Sequence, residues 1–371
     1  MTAVNRLETD RRFMAAAIRL SHKHSGRTAT NPSVGTLIVR DDGTGPMIVG
    51  SGVTAIGGRP HAEAEALAEA GALARGATAY VTLEPCAHHG RTPPCANALA
   101  TAGVVRVVGA ATDPDTRVSG KGYAILRQAG IEVVEGVLAE EAADQMAGYL
   151  IRSLKKRPQV ILKIALSSDG MVGRSGEGQV AISGPLSRRM VHLMRAQSDA
   201  ILVGIGTALA DDPELTVRLD GLEGRSPVRI VLDRQLRLSP TSKLVQTASR
   251  VPVMVAAGID ADPARRMALE AASVKILATD SHEGRIALPE FLEDLAAMGI
   301  ANLMVEGGPE TARAFLDESL VDRIVLFHGV GEIGAGGIVS PLRNTDMPKD
   351  FRRLRVAGYC KDRFEEWVRK I

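Results

Sequence analysis

The sequence predicts an α/β protein of two domains. Three observations lead there. The chain has 371 residues, and at about 100–200 residues per domain that favours two domains over one. Both halves alternate short apolar, strand-like runs with helix-periodic segments, the pattern of layered α/β folds. Between the halves stands the basic run Lys155-Lys156-Arg157-Pro158, which reads as a solvated helix end, because cations suit helix C-termini. The expected domains are 1–150 and 151–371.

In the first half, residues 11–22 carry Phe13, Met14, Ala17, Ile18 and Leu20 at helical spacing. Residues 34–39 form a short apolar strand, with 47–53 as its partner across the Asp42-Gly43 turn. Residues 61–70, rich in Ala and Glu, read as a helix and 78–83 as a strand. Pro93 suits the first turn of a helix over 93–102. A strand at 104–110, a helix at 123–129 and a short strand at 131–135 follow, and then a polar helix at 140–154. In the second half, strands are expected at 160–166, 200–203, 228–232, 251–256, 274–277, 302–306 and 321–329. Helices are expected at 185–197, 289–298 and 310–319, and the Gly-rich segment 329–337 reads as a loop.

Composition excludes several classes of function. Hydrophobic residues make up 45% and charged residues 24%, as in ordinary soluble globular proteins. The formal charge of +2 predicts no strong attraction to nucleic acid. Aromatics at 3% leave few platforms for stacking single-stranded bases. No apolar run approaches the roughly 20 residues that span a bilayer, so no membrane partner is expected. Residues 1–10 are polar and lack the apolar core of a signal peptide, so a cytoplasmic location is expected. Three cysteines, Cys86, Cys95 and Cys360, are too few and odd in number for a disulfide framework, and they leave metal binding or catalysis open.

The strongest local signal is His61-Ala62-Glu63, followed by Glu84-Pro85-Cys86 and then Cys95. One imidazole and two thiolates supply three ligands to Zn2+ and leave a fourth position open for water, the pattern of a catalytic rather than a closed structural site. A structural zinc would need a fourth ligand, for which His88 and His89 are the candidates. Glu63 stands two positions from His61, able to approach the water without ligating the metal and to carry its proton to a leaving amine. His-x-Glu followed by Pro-Cys is the signature of zinc-dependent nucleobase deaminases. Cys95 opens a helix, whose N-terminus favours a thiolate. Cys360 reads as an ordinary core or surface residue.

Three segments then carry a specific resemblance: Asn31-Pro32-Ser33-Val34-Gly35, His61-Ala62-Glu63, and the run from Thr82-Leu83-Glu84-Pro85-Cys86 through Ala87-His88-His89-Gly90-Arg91-Thr92 to Pro93-Pro94-Cys95. They resemble the bifunctional deaminase–reductase family of riboflavin biosynthesis. Deaminases that edit nucleic acid usually keep two residues between their cysteines; here residues 87–94 intervene, as in the riboflavin family. Asp113-Pro114 and Gly120-Lys121-Gly122 also match that family. The resemblance implies a cytidine-deaminase-like, three-layer N-terminal domain. It implies that Asn31 lines the pyrimidine pocket and that His88, Arg91 and Lys121 contact a small phosphorylated pyrimidine, the polar donors of the insert suiting such a substrate. A homo-oligomer is expected.

Segments 163–170, 195–200, 204–207, 210–218 and 305–311 resemble the reductase half of the same family, and so imply a dihydrofolate-reductase-like C-terminal domain that uses NADPH. Independently, the strand ending at Glu306 runs into Gly307-Gly308-Pro309 and a helix. Small residues let a ligand approach the backbone, and a helix N-terminus offers free N–H groups to phosphate. Gly204-Ile205-Gly206 lacks the third glycine of a dinucleotide fingerprint. Arg195 and Arg218 are candidates for gripping substrate phosphate, since a guanidinium fork matches phosphate oxygens. By resemblance, Ala165, Thr207, Asp211, Gly307 and Gly308 contact the cofactor, while Leu215 and Glu306 contact the substrate. Ala181, also assigned to the cofactor, stands where the family often has Trp, in a segment one residue longer; the only tryptophan is Trp367.

The resulting expectation is an enzyme of two steps: hydrolytic deamination of 2,5-diamino-6-(5-phosphoribosylamino)pyrimidin-4-one, with Glu63 relaying protons, then NADPH-dependent reduction of the ribosyl chain to ribityl. The sequence does not name the acid of the second step. The rivals are a nucleic-acid-editing deaminase and a deaminase whose second domain binds a ligand without catalysis.

Overall fold

The structure, a computed structural model, describes residues 3–88, 93–115, 118–282, 284–342 and 347–370. They form two compact units, Met1–Lys156 and Arg157–Ile371.

The first unit contains α1 (Ala3–Ser21), β1 (Gly35–Asp41), β2 (Pro46–Val53), α2 (Ala62–Ala70), β3 (Thr78–Leu83), α3 (Cys95–Thr101), β4 (Arg106–Ala111), α4 (Lys121–Gln128), β5 (Glu132–Val134), α5 (Ala139–Gln145) and α6 (Ala147–Lys155). Its sheet runs β2-β1-β3-β4-β5. β1 is antiparallel to both neighbours, whereas β3, β4 and β5 are parallel. Helices α2, α3 and α4 share one face, and α1 and α5 the other, giving the three expected layers. The sheet has little room for side chains under α2: a Cβ on Gly52 would lie 2.0 Å from the Ala62 carbonyl oxygen. That contact seats the helix that carries Glu63.

α1 begins well before the expected residue 11. Its first turns are held by charge rather than by apolar periodicity. Buried Asp10 receives both Nη atoms of buried Arg106 at 2.7 Å and the Tyr80 hydroxyl at 3.0 Å. Arg6, one turn earlier, reaches Glu132, which also pairs with Arg106 Nε. The single helix expected at 140–154 is broken at Met146 into α5 and α6, and the expected division at 150/151 falls inside α6.

The second unit comprises β6 (Gln159–Leu166), β7 (Met171–Arg174), α7 (Pro185–Gln197), β8 (Ala200–Gly204), α8 (Ile205–Asp211), β9 (Val228–Leu232), α9 (Lys243–Gln246), β10 (Val253–Gly258), α10 (Pro263–Ala271), β11 (Lys275–Thr279), β12 (Ser281–His282), β13 (Arg285–Ile286), α11 (Leu288–Ala297), β14 (Asn302–Val305), α12 (Pro309–Asp317), β15 (Arg323–His328), β16 (Gly337–Val339), β17 (Phe351–Tyr359) and β18 (Asp362–Arg369). Its nine-stranded sheet runs β11-β10-β9-β8-β14-β6-β15-β18-β17. All strands from β11 to β15 in that order are parallel; β18 and β17 are antiparallel additions. Leu288, Phe291, Leu292 and Leu295 of α11 and Phe315 of α12 fill one face, against Leu162, Leu202 and Leu303. Val191 of α7 covers Met304 and Phe327 on the other. Of the basic run between the units, Arg157 is not a solvated residue: it pairs with buried Asp322, which also accepts from the Val160 amide at 3.0 Å.

The hairpin β17–β18 was not foreseen. β17 is an edge strand whose outward positions include Arg352, Arg353 and Arg355, and charges on an edge block pairing with further strands. The same charges hide the alternation by which a strand is recognised.

Candidate active sites

In the first unit, His61 stands immediately before α2 with extended backbone, and Glu63 is in that helix's first turn. Cys86 lies in the segment leaving β3, and Cys95 opens α3. His61 Nδ1 is 3.7 Å from Cys86 Sγ and 3.4 Å from Cys95 Sγ, and the Cys95 amide donates to Cys86 Sγ at 3.3 Å. The three ligand atoms lie within 4.8 Å of one another. A tetrahedral ion with zinc's bond lengths separates sulfur and nitrogen by about 3.6 Å, so this donor set fits that ion without rearrangement.

The electrostatics agree. The shared hydrogen bond with Cys95 pulls the Cys86 thiol down to about 4, with His61 assisting against the effect of burial. The same bond, together with burial and the Glu63 carboxylate, pushes the Cys95 thiol up. The two sulfurs thus share one proton, and a divalent cation in its place would bind both as thiolates. Glu63 is buried and interacts with the Cys95 thiol; burial, then the Cys86 charge, push its carboxyl up to about 7. A carboxyl poised near neutrality can take and return a proton.

Glu84, part of the motif but given no role from the sequence, fixes the cysteine segment. Its buried carboxylate accepts from the Gly120 and Gly122 amides, both at 3.0 Å. A Cβ on Gly122 would meet the Pro85 carbonyl oxygen at 2.0 Å. Lys121 is thereby held beside the segment that carries Cys86. Asn31 Nδ2 donates to the Gly58 carbonyl at 2.8 Å, tying it to the turn that leads into His61. His88 is half-buried, and its Nδ1 is buried without a hydrogen-bond partner among the described residues. Asp113, whose carboxyl is pushed up by burial, accepts from the Tyr149 hydroxyl at 3.0 Å and from the Asp115 amide at 2.9 Å. Arg91 and His89 lie outside the described residues.

In the second unit, chemistry gathers at the carboxyl ends of parallel strands, where such sheets bind ligands. Just beyond β14, Glu306 is gripped by Arg195 of α7: Nε to Oε1 at 2.7 Å and Nη2 to Oε2 at 3.0 Å. Lys163 of β6 stands 3.6 Å from the same carboxylate. Burial alone would push the Glu306 carboxyl up, but the two cations bring it down to about 2. Arg195 Nη1 also donates to the Thr216 carbonyl at 3.1 Å, so its fork is turned inward. Arg218 is exposed; its guanidinium pairs with Glu214 at 2.8 Å, and its amide donates to His192 Nδ1 at 3.3 Å. Leu215 has a buried side chain in the core around Ile201 and Val231 and a left-handed backbone, φ 55°, so only its main chain is available to a ligand.

Helices α8 and α12 begin side by side at the ends of adjacent strands. Thr207 Oγ1 accepts from the Gly308 amide at 2.9 Å. A Cβ on Gly307 would sit 2.6 Å from Thr311 Cβ, and one on Gly308 3.0 Å from Thr207 Oγ1. Asp211 lies one turn beyond Thr207 on the same helix and is half-buried. Ala165 lies near the end of β6, beside Phe327 of β15. This glycine-floored pair of helix starts fits a phosphorylated dinucleotide. Ala181 is exposed and belongs to no helix or strand.

Fold and site define a class: a cytidine-deaminase-like unit with a His-Cys-Cys cluster able to hold a metal, joined to a dihydrofolate-reductase-like unit. Residues 7–111 match the cytidine and deoxycytidylate deaminase zinc-binding region, and residues 158–362 match the RibD C-terminal domain. The chain is 40% identical to riboflavin biosynthesis protein RibD of Aquifex aeolicus over 96% of this chain and 97% of that protein. RibD of Acinetobacter baumannii has a solved structure with 35% identity and a TM-score of 0.85, covering 98% of this chain and all of that one. A Thermotoga maritima structure described as a diaminohydroxyphosphoribosylaminopyrimidine deaminase/5-amino-6-(5-phosphoribosylamino)uracil reductase is 34% identical, with a TM-score of 0.85 over 98% of this chain and 99% of that one. The chain belongs to the RibD family, the bifunctional deaminase–reductases of riboflavin biosynthesis. The match runs through both units and favours neither nucleic-acid editing nor a second unit without catalysis. No helix among the described residues is long and apolar enough to cross a membrane.

Proposed function

We propose that the first unit removes the 2-amino group of 2,5-diamino-6-(5-phosphoribosylamino)pyrimidin-4-one, and that the second reduces the ribosyl chain of the product to ribityl with NADPH. The observation that carries this reading is the cluster of His61 Nδ1, Cys86 Sγ and Cys95 Sγ within 4.8 Å of one another, with the buried carboxyl of Glu63 beside it.

His61, Cys86 and Cys95 would hold Zn2+, which when bound activates water for attack on the ring carbon. Glu63 takes a proton from that water and delivers it to the exocyclic nitrogen, which leaves as ammonia while the water oxygen stays on the ring. Asn31 orients the pyrimidine at the turn before His61. His88, Arg91 and Lys121 contact the polar remainder of the substrate.

In the second unit, NADPH would lie against Ala165, Ala181, Thr207, Asp211, Gly307 and Gly308, and it supplies the hydride. Arg218, at the surface, meets the substrate phosphate. Glu306 contacts the sugar chain, with Arg195 behind it keeping the carboxylate ionised and the Leu215 backbone alongside. Lys163 adds a donor at the same carboxylate, a residue that sequence reasoning had not assigned.

A coupled assay on the metal-loaded chain tests both halves. Ammonia should appear first, and NADPH consumption should follow. Glu63→Ala should release no ammonia while keeping its metal; retained deamination in that variant would sink the mechanism. NADPH binding without turnover of the deaminated product would leave the first unit as the only catalyst.

A further inference from the structure

Arg229, on β9, has no exposed surface and lies in the sheet between β8 and β10. Its hydrogen-bond partners are main-chain carbonyls and one hydroxyl. Nη1 donates to the Glu214 carbonyl at 3.2 Å and to Thr247 Oγ1 at 2.7 Å; Nη2 donates to the Thr247 carbonyl at 3.2 Å and to the Val251 carbonyl. Nε is buried without a partner among the described residues. A cation taken this far out of water is costly, and an apolar residue would build the same strand more cheaply. What the guanidinium holds is therefore informative.

One of the groups it holds belongs to the segment 212–218. That segment is strained: Asp212 and Leu215, neither of them glycine, have left-handed backbones with φ of 39° and 55°. Such conformations persist only where the surroundings impose them. Here the ties run along the segment. Asp212 Oδ1 accepts from the Lys243 amide at 2.9 Å, the Val217 amide donates to Ser226 Oγ at 3.0 Å, and the Arg218 amide donates to His192 Nδ1 at 3.3 Å. Two further ties flank Leu215 itself. Arg229 holds the carbonyl before it, that of Glu214, and Arg195 holds the carbonyl after it, that of Thr216. Leu215 is suspended between two buried guanidiniums, one of which also grips Glu306.

We infer that Arg229 is a positioning residue of the reductase step, holding the Glu214 carbonyl so that the Leu215 backbone and Arg218 stand where the substrate meets them. This rests on the reading of Leu215 and Arg218 as substrate contacts. Arg229 touches neither substrate nor cofactor, and its influence falls on the substrate side: its bond reaches the carbonyl of Glu214, whereas Thr207 and Gly308 are tied to each other.

The test uses the full chain with the deaminated phosphoribosylaminopyrimidine and NADPH. Arg229→Met should raise KM for the pyrimidine by at least about tenfold, the scale of a lost charge-assisted hydrogen bond, with KM for NADPH within about twofold of its original value. Arg229→Lys should recover part of the loss. Should Arg229→Met fail to fold, Thr247→Val removes one acceptor and should shift the pyrimidine KM in the same direction by about threefold. Equal rises in both KM values, or a lower melting temperature with both KM values unchanged, would overturn the inference and leave Arg229 a purely structural residue. Arg218→Gln, run in parallel, separates the two ideas. If Arg218→Gln raises the pyrimidine KM and Arg229→Met does not, the inference about Arg229 alone fails. If only Arg229→Met raises it, the part of the inference that runs through the Leu215 backbone stands, while the phosphate assignment of Arg218, and the part that runs through it, falls.

Discussion

Arg195 and Glu306, 111 positions apart in the chain, form a two-pronged ion pair of 2.7 and 3.0 Å just beyond the end of β14. Because the Glu306 carboxyl is held at about 2 against an ordinary 4.5, its ionisation is linked to folding. A lowered folded-state value contributes stability that is full above the unfolded value and disappears as pH falls through the folded one. The shift corresponds to about 3 kcal/mol, lost between about pH 4.5 and 2. Glu306→Gln should flatten that acid limb. Trp367 is the only tryptophan and lies on β18, so its fluorescence follows unfolding of the second unit alone. An unchanged acid limb in the variant would show that the pair is not linked to stability.

Removing a ligand atom should separate the two activities. Cys86→Ser or Cys95→Ser should lose the bound metal and, with it, ammonia release. NADPH-dependent reduction of the deaminated pyrimidine should continue at its original rate, because His61, Cys86 and Cys95 all belong to the first unit. Metal content by atomic absorption and the two rates, measured on one preparation, decide this. Loss of both activities would mean that the reductase also needs the ion.

Glu84 should matter to the metal without touching it. Glu84→Gln keeps the shape but replaces the acceptor oxygens facing the Gly120 and Gly122 amides with one oxygen and one amide nitrogen. Metal affinity should fall about 10–100-fold, as when other outer supports of metal ligands are lost. Competition with a chelator of known affinity measures it; an unaltered affinity would mean that Cys86 is positioned without the clamp.

At Gly52 the expectation concerns packing. An added methyl would meet the Ala62 carbonyl at 2.0 Å and the Ala66 amide at 2.6 Å, pushing the start of α2 off the sheet. Gly52→Ala should cost about 1–3 kcal/mol, and deamination should fall more than melting temperature suggests, since His61 and Glu63 move with the helix. Thermal melts paired with ammonia release test it.

On the reductase side, Thr207→Val removes the acceptor of the Gly308 amide. Losing one such bond costs about 1 kcal/mol, so KM for NADPH should rise about fivefold with the pyrimidine KM little changed. A rise in the pyrimidine KM instead would move the cofactor away from α8 and α12.

The cluster of His61, Cys86 and Cys95 was legible in the sequence because these are rare residue types gathered in two short segments, His61–Glu63 and Cys86–Cys95. β3, β9 and α7 were legible to the residue, the strands as short runs rich in β-branched residues and the helix by its proline start. What escaped depends on partners far along the chain. Lys163 gains significance only from Glu306, Arg229 only from Glu214, Thr247 and Val251, and Asp10 only from Arg106. Nothing in the local pattern around these residues announces such pairings. The inward turn of Arg195 escaped for the same reason: a sequence shows a guanidinium but not which carboxylate will meet it.

The bond from Tyr149 to Asp113 bears on how such a gene can be divided. α6 is the last helix of the first unit, yet it reaches back: Tyr149 to Asp113, and Arg152 to the Thr30 carbonyl at 2.7 Å. Cutting the reading frame at 150 would leave the deaminase its tyrosine but take away the helix that holds it and the arginine that braces the strand of chain before Asn31. A cut after Lys156 spares both. Fission of this gene into two single-purpose ones, or their fusion in the reverse direction, therefore has a natural seam at 156/157, set by the last side chains the deaminase needs rather than by the first strand of the reductase.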